Sequence, residues 1–518
     1  MKRAIGAATF VAVAAVVVVS PAASGGSRRA APLHPPTTVT LLAAQTTARS
    51  PAATPADSRA AMVPTDSELA DFARAALTKA YPADGPGAAV LVRRQGKTIL
   101  REGFGLANLD QAVPIDPADV FEIGSVTKQF TGAALLRLAE EGKLALEDPV
   151  TKFLPDLPAA YQAITLTQLL THTGGVPSYT SMPEWRPRWR EDMSLDTLIG
   201  LFRDKPLDFV PGQSWSYSNS GYILLGAVIE RASGKSYEDY VEQELFAPLG
   251  MTNSRYGHQE EVVAGRASGY VKGPDGWANA PYLSLTQPYA AGSLMSTVDD
   301  LARWSDALEG GHVVSAASRD RMFTPAVLVG GEHDGISTRY GLGNGVRYIA
   351  GHLAHEHGGG IHGYVSDLLR VPDADLLVVV LSNNPTVPPG RLAHRIAEHA
   401  LGGPPPQAPT VAIEPASLDA YVGVYRMAEA PATDLRRVVT RDGDTLRLQP
   451  PGGERNALRP LGDDRFETVE GATPVRFLRD AGGKVVAVEV DTGNGPLLPS
   501  PRTDEPIPAE SQVRPDRS

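Results

Sequence analysis

The sequence predicts an α/β chain of the α+β kind, in which a mostly antiparallel sheet flanked by helices is followed by a small all-β unit. Three observations carry this reading. Strand-like runs stand at both ends of residues 65–401 with amphipathic helices between them. A stiff break, Gly402-Gly403-Pro404-Pro405-Pro406, closes that region. Beyond it, short strand candidates recur every ~8–12 residues, as in a small barrel or sandwich.

The elements follow in order. Thr65 and Glu68 have capping-box spacing ahead of an apolar-periodic helix through Leu77. Ala88–Val92 and Lys97–Leu100, separated by Gln95-Gly96, read as a hairpin. Ser125 to Gly142 is the strongest helix, with Val126, Phe130, Ala133, Ala134, Leu135 and Leu138 on its apolar face and Gly142 placed to end it. A second helix runs from about Gly221 to Ser233, stopped by Gly234. Between Tyr340 and Asn383 the period changes, and Leu376–Leu381 reads as a strand. The later strand candidates are Tyr421–Tyr425, Leu435–Thr440, Thr445–Leu448, Phe466–Val469, Val475–Leu478 and Val485–Val490. From about Leu497 the composition predicts an unordered tail.

At 518 residues, two folded units with tails are expected. A net charge of -11 excludes a phosphate backbone as the main partner. The absence of cysteine excludes disulfides, thiol catalysis and thiolate metal ligation. Lys2-Arg3, the apolar stretch Ile5–Val19 and the small residues that follow predict an export signal over 1–23, with a retained anchor as the alternative. Residues 24–64 are a Pro/Ala/Ser/Thr linker by composition. The remaining boundaries are a hydrolytic domain over 65–401, a linker over 402–417, a β-unit over 418–498 and a tail over 499–518. The product is expected in the periplasm or medium, off the membrane once the signal is cleaved.

Three short motifs carry chemistry. Ser125 and Lys128 stand three residues apart on one helix face, so an amine could take the serine proton if burial keeps it neutral. Tyr217-Ser218-Asn219 offers a phenol whose pKa a nearby ammonium would depress, and an amide to position a carbonyl. If the tripeptide is extended, Tyr217 and Asn219 point the same way. His357-Gly358-Gly359-Gly360 could bring backbone N–H groups close to a ligand. His352, His355, His357 and His362 also crowd one segment, but the known zinc patterns are missing, so no metal is expected. No Gly-x-Ser-x-Gly elbow and no phosphate-binding glycine loop occurs.

Taken in order, Ser125-Val126-Thr127-Lys128, Tyr217-Ser218-Asn219 and His357-Gly358-Gly359 resemble the motifs of the penicillin-binding-protein-like serine hydrolases grouped with class C β-lactamases. Leu169–Gly175, Phe246–Thr252 and Ala291–Thr297 are similar to stretches of the same family, and Leu418–Tyr425 onward resembles its appended lipocalin-like β-barrel. The resemblance implies an all-helical lobe beside the sheet and an active site between them. It implies that Ser125 is acylated, that Lys128 and Tyr217 share acid/base work, and that Asn219, His357 and Gly359 bind substrate. The oxyanion hole would be the backbone N–H groups of Ser125 and Gly360. His172 would be structural. The class C third motif is Lys-Thr-Gly, so His357 and Gly358 weaken the grip on a substrate carboxylate and favour D,D-peptidase, D-aminopeptidase or esterase activity over β-lactamase activity. The substrate would be a small molecule or peptide, peptidoglycan fragments included, with no cofactor. The reading from another class is an inactive protein that binds or senses cell-wall fragments.

Overall fold

The computed structural model describes residues 63–403, 413–427, 436–450, 455–469, 473–491 and 495–508. The expected export signal and nearly all of the 24–64 linker lie outside them, as do 404–412 and 509–518. The first helix, α1 (Asp66–Ala80), opens on the expected capping box: Glu68 N–H donates to Thr65 Oγ1 at 3.3 Å and Thr65 N–H to Glu68 Oε2 at 2.8 Å. Strands β1 (Ala88–Arg94) and β2 (Lys97–Phe104) form the hairpin, turned at Gln95 and Gly96, both at positive φ. Helix α2 (Thr127–Glu140) is followed by Gly142 at φ +70°. Helix α3 (Asn219–Ser233) begins two residues earlier than its sequence suggests, because Ser218 caps it by accepting from Gly221 N–H at 3.3 Å. Helix α4 (Val298–Glu309) completes the helical side.

Four more strands return the chain to the hairpin: β3 (Gly345–Ile349), β4 (His352–Ile361), β5 (Tyr364–Val371) and β6 (Leu376–Ser382). The sheet is antiparallel throughout, in the order β3-β4-β5-β6-β1-β2. Strand β6 is apolar on both faces for a reason. Val378 and Val380 pack with α1 and α5 (Pro389–Ala400) on one side, while Val379 and Leu381 join the core of α2, α3 and α4 on the other. Alternate residues thus seal two hydrophobic layers.

After the break the chain closes an eight-stranded barrel: β7 (Gly423–Arg426), β8 (Arg436–Asp442), β9 (Thr445–Gln449), β10 (Asn456–Gly462), β11 (Arg465–Thr468), β12 (Pro474–Arg479), β13 (Val485–Val490) and β14 (Ser500–Thr503). Tyr421, Tyr425, Phe466 and Phe477 belong to its core. Strand β14 corrects the expectation of an unordered tail from 499. Pro501 and the polar residues around it disguise a strand, yet β14 pairs with both β7 and β13, and Arg437 donates to the buried Ser500 hydroxyl. The barrel also touches the first domain. Arg339 pairs with Asp491 at 2.6 Å, and Gly495 sits so close to Trp215 that a Cβ would come within 2.6 Å of the indole.

Gly132 lies inside α2, where alanine ordinarily gains about 1 kcal/mol. Here a Cβ would lie 2.3 Å from the Leu342 carbonyl. Overpacking against backbone costs about 1–3 kcal/mol, so the penalty outweighs the helix gain. Gly132→Ala should lower the urea midpoint of the first domain; an unchanged or raised midpoint would contradict this packing.

Candidate active site

Ser125 stands in the tight turn Gly124–Val126 that leads into α2, at the positive end of that helix. Lys128, one turn on, has no exposed surface. Its Nζ meets three atoms: Ser125 Oγ at 3.1 Å, Asn219 Oδ1 at 2.8 Å and the Ala291 carbonyl oxygen at 2.8 Å. None of the three is charged, and burial holds the amine well below its ordinary pKa. A neutral amine has two hydrogens and one lone pair. The amide and peptide oxygens can only accept, so they take the two hydrogens and leave the lone pair for the Ser125 hydroxyl.

Tyr217 faces the same amine, its ring centre 4.8 Å from Nζ. The sequence suggests a phenol depressed by an ammonium; the structure gives the reverse. Burial raises the Tyr217 pKa, opposed by a hydrogen bond with Ser125. The reason is that Lys128, itself forced toward neutrality, supplies no cation to stabilise a phenolate. Asn219 opens α3 while Ser218 before it is extended, at φ -129° and ψ 115°, and Tyr217 and Asn219 meet the same lysine. The Asn219 amide is oriented from behind: its Nδ2 donates to Thr180 Oγ1 at 3.1 Å, and its backbone N–H to Ser178 Oγ at 3.1 Å.

His172 is buried at φ +61°. Its Nδ1 accepts from Ser218 N–H at 3.1 Å, and its ring lies 4.3 Å from that of Tyr217. Burial keeps it neutral. It therefore fixes the Tyr217-Ser218 backbone and ring. His357 is also buried. Its Nδ1 lies 2.6 Å from the Gly358 carbonyl, which can only accept, so Nδ1 carries the proton and Nε2 accepts from the Tyr340 hydroxyl at 2.7 Å. Burial first, then Lys128, pushes the His357 pKa down to about 3. Both ring nitrogens are thus engaged by the protein and the ring is neutral.

The three glycines after His357 do different work. A Cβ on Gly359 would lie 2.1 Å from the Ile123 carbonyl and 2.2 Å from Ser366 Oγ, so this residue lets β4 press against the turn that carries Ser125. Gly360 has open space where its Cβ would be, and its N lies 2.8 Å from the position of a Cβ on Gly124, beside Ser125. Gly358 meets only ordinary contacts. The four crowded histidines diverge: His352 reaches Asp373, His355 stacks on Phe323, His357 meets Tyr340, and His362 contacts the Pro281 carbonyl.

Beside Ser125 lies a cavity of about 210 Å³ lined by Gly124, Tyr179, Thr180, Trp185, Asn219, Leu283, Pro288, Ala291, Gly292, Gly360, Ile361 and His362. Tyr217, Lys128, His357 and Gly359 are not among its lining residues. Thr180, Ser178, Trp185, Leu283 and Ile361 had no signal in the sequence, because loop conformation brings them here, and His362 stood out only among the crowded histidines. Ala291 was visible only as part of a family-like stretch.

The profile of the Beta-lactamase family matches residues 74–402, well over half of the chain. The chain belongs to the Beta-lactamase family. Penicillin-binding protein 4* of Bacillus subtilis (strain 168) is 31% identical over 403 residues, covering 73% of this chain and 86% of that protein. The octameric penicillin-binding protein homologue from Pyrococcus abyssi matches with a TM-score of 0.59 at 27% identity, over 82% of this chain and 97% of the other. A D-stereospecific amidohydrolase from Streptomyces sp. matches with a TM-score of 0.53 at 26% identity, over 63% of this chain and 97% of the other. This chain is accordingly a β-lactamase-related serine hydrolase with a C-terminal barrel.

The glycine run yields a graded expectation. Gly359→Ala should cost about 1–3 kcal/mol by overpacking and displace Ser125. Gly358→Ala and Gly360→Ala should leave thermal stability within about 0.5 kcal/mol. Equal losses for all three in parallel melting curves would contradict this account of β4.

Proposed function

We infer that this family member hydrolyses an amide or ester through an acyl-enzyme on Ser125, acting as a D-amino-acid amidase or aminopeptidase or as an esterase. The carrying observation is the buried amine of Lys128, held by two uncharged acceptors within 3.1 Å of Ser125 Oγ, a setting that favours its neutral form. As Lys128 takes the proton, Ser125 Oγ attacks the carbonyl carbon. The N–H groups of Ser125 and Gly360 receive the developing oxyanion. Tyr217, disfavoured as a phenolate, gives its proton to the leaving group and takes back the one that Lys128 received from Ser125, so it acts as an acid and Lys128 returns to a free amine. Water then releases the acyl group with Lys128 as base.

The third motif supports the choice among activities. A β-lactam or a D,D-carboxypeptidase substrate presents a free carboxylate, and such groups are held by Lys or Arg. His357, at the third-motif position, is neutral with both nitrogens engaged and offers no cation for such a carboxylate. The D-stereospecificity in the name of the Streptomyces amidohydrolase supports the amidase reading. The Lys2-Arg3 and Ile5–Val19 segments support export.

A fluorophosphonate or acyl probe followed by peptide mapping should place the adduct on Ser125, and Ser125→Ala should abolish it. Lys128→Ala should lower kcat about 10²–10⁴-fold. p-Nitrophenyl esters and D-amino-acid amides should turn over faster than nitrocefin; the opposite ranking would make this a β-lactamase.

The pH profile gives a second check. The amine works when deprotonated, so kcat/KM should rise with pH through the lowered pKa of Lys128 and then level off. His357, neutral above about pH 3, contributes nothing to that limb. The raised phenol of Tyr217 predicts no alkaline fall between pH 7 and 10. A fall there that Tyr217→Phe removes would restore the phenolate role.

A further inference from the structure

The cavity beside Ser125 has a definite place in the reaction. Tyr217 and Lys128, which handle the leaving group's proton, do not line it, whereas Ser125, Gly360 and Asn219 do. A carbonyl held at Ser125 and Gly360 with its leaving group toward Tyr217 therefore puts its acyl substituent in this cavity. At about 210 Å³ it falls below the ~300 Å³ lower end of pockets for drug-sized ligands. Its aromatic and apolar walls include Tyr179, Trp185, Leu283, Pro288 and Ile361, none of them charged.

One of these walls is a loop with little regular structure, and the buried side chain of Gln287 makes three of the bonds that hold it. Gln287 has no exposed surface. Its Nε2 donates to the Arg188 carbonyl at 2.8 Å and to the Glu191 carbonyl at 2.6 Å, while its Oε1 accepts from Trp185 Nε1 at 2.6 Å. Its backbone carbonyl accepts from the Tyr179 hydroxyl at 2.7 Å. Flipping the amide would set nitrogen against an indole N–H and oxygen against two carbonyls, so the orientation is fixed. Adjacent bonds tie the same loop down: Ser284 N–H donates to the Trp189 carbonyl at 2.9 Å, and Met193 N–H to Thr286 Oγ1 at 3.0 Å.

We propose that Gln287 is a positioning residue for acyl selectivity: by pinning Trp185 and the 188–191 backbone it fixes the size of the acyl cavity and restricts the enzyme to acyl groups whose cavity-filling substituent is short, uncharged and apolar. This rests on the acyl-enzyme reading above. Gln287 touches no reacting atom. It acts through the position of Trp185 and Tyr179.

The experiment uses the full-length enzyme and p-nitrophenyl acetate, butyrate, octanoate and hemisuccinate, with kcat and KM measured separately and the Ser125 adduct followed by mass spectrometry. Each misplaced methylene in a fixed pocket is worth about tenfold or more, so wild type should favour butyrate over octanoate and hemisuccinate by at least about tenfold in kcat/KM. Gln287→Met, of similar length but without the amide, should raise the octanoate-to-butyrate ratio about tenfold, mainly through KM. Tyr179→Phe removes only the hydroxyl that donates to the Gln287 backbone carbonyl, and should move the ratio in the same direction by less. It carries the test if Gln287→Met does not fold. A merely structural Gln287 would lower kcat/KM on every ester by one factor and leave the ratio unchanged, which overturns the proposal. Adducts on Ser125 with no dependence on acyl length in wild type overturn it as well. Absence of any Ser125 adduct overturns the acyl-enzyme reading and this inference with it.

Discussion

Moving an ammonium out of water costs several kcal/mol even after relaxation, more than hydrogen bonds to two neutral oxygens return. Lys128 is held under that constraint, and much of the first domain is arranged to maintain it. Helix α3 supplies Asn219, the 289–292 segment supplies the Ala291 carbonyl, and Gly343, at φ +92°, lets another loop close over the backbone of Lys128. A carboxylate in the place of any of these would restore the charge and remove the base. The neutrality of His172 and His357 follows from the same dry environment, since each is desolvated.

The elements that sequence patterning located are those whose local chemistry and tertiary role agree. Helix α2 carries its apolar stripe and terminal glycine, the β1–β2 hairpin its Gln95-Gly96 turn, and β6 its unbroken apolar run. Strand β14 was illegible because its pairing partners, not its own side chains, make it a strand. The start of α3 was displaced by two residues because Ser218 and Asn219 both look like caps, and only the hydrogen bond to Gly221 distinguishes them.

For the site, spacing brought Ser125 and Lys128 together, and motif order suggested Tyr217, Asn219 and His357. Protonation states were beyond sequence. The direction of the Tyr217 shift reversed because it depends on whether its neighbour is charged, which in turn depends on burial set by segments 70 or more residues away. The cavity wall was equally hidden. Trp185 and Gln287 are 102 residues apart, and nothing in either neighbourhood marks them as partners.

The barrel closes only because the 500–503 segment pairs on both sides, and that segment comes late in the chain. Until it is in place, β7 and β13 present unpaired backbone edges of the kind that recruit strands from other molecules. A nascent or proteolytically trimmed chain is therefore exposed to edge-to-edge association at its barrel even when the hydrolytic domain is already folded. Strand β14 covers both of those edges and completes the barrel that rests against Trp215.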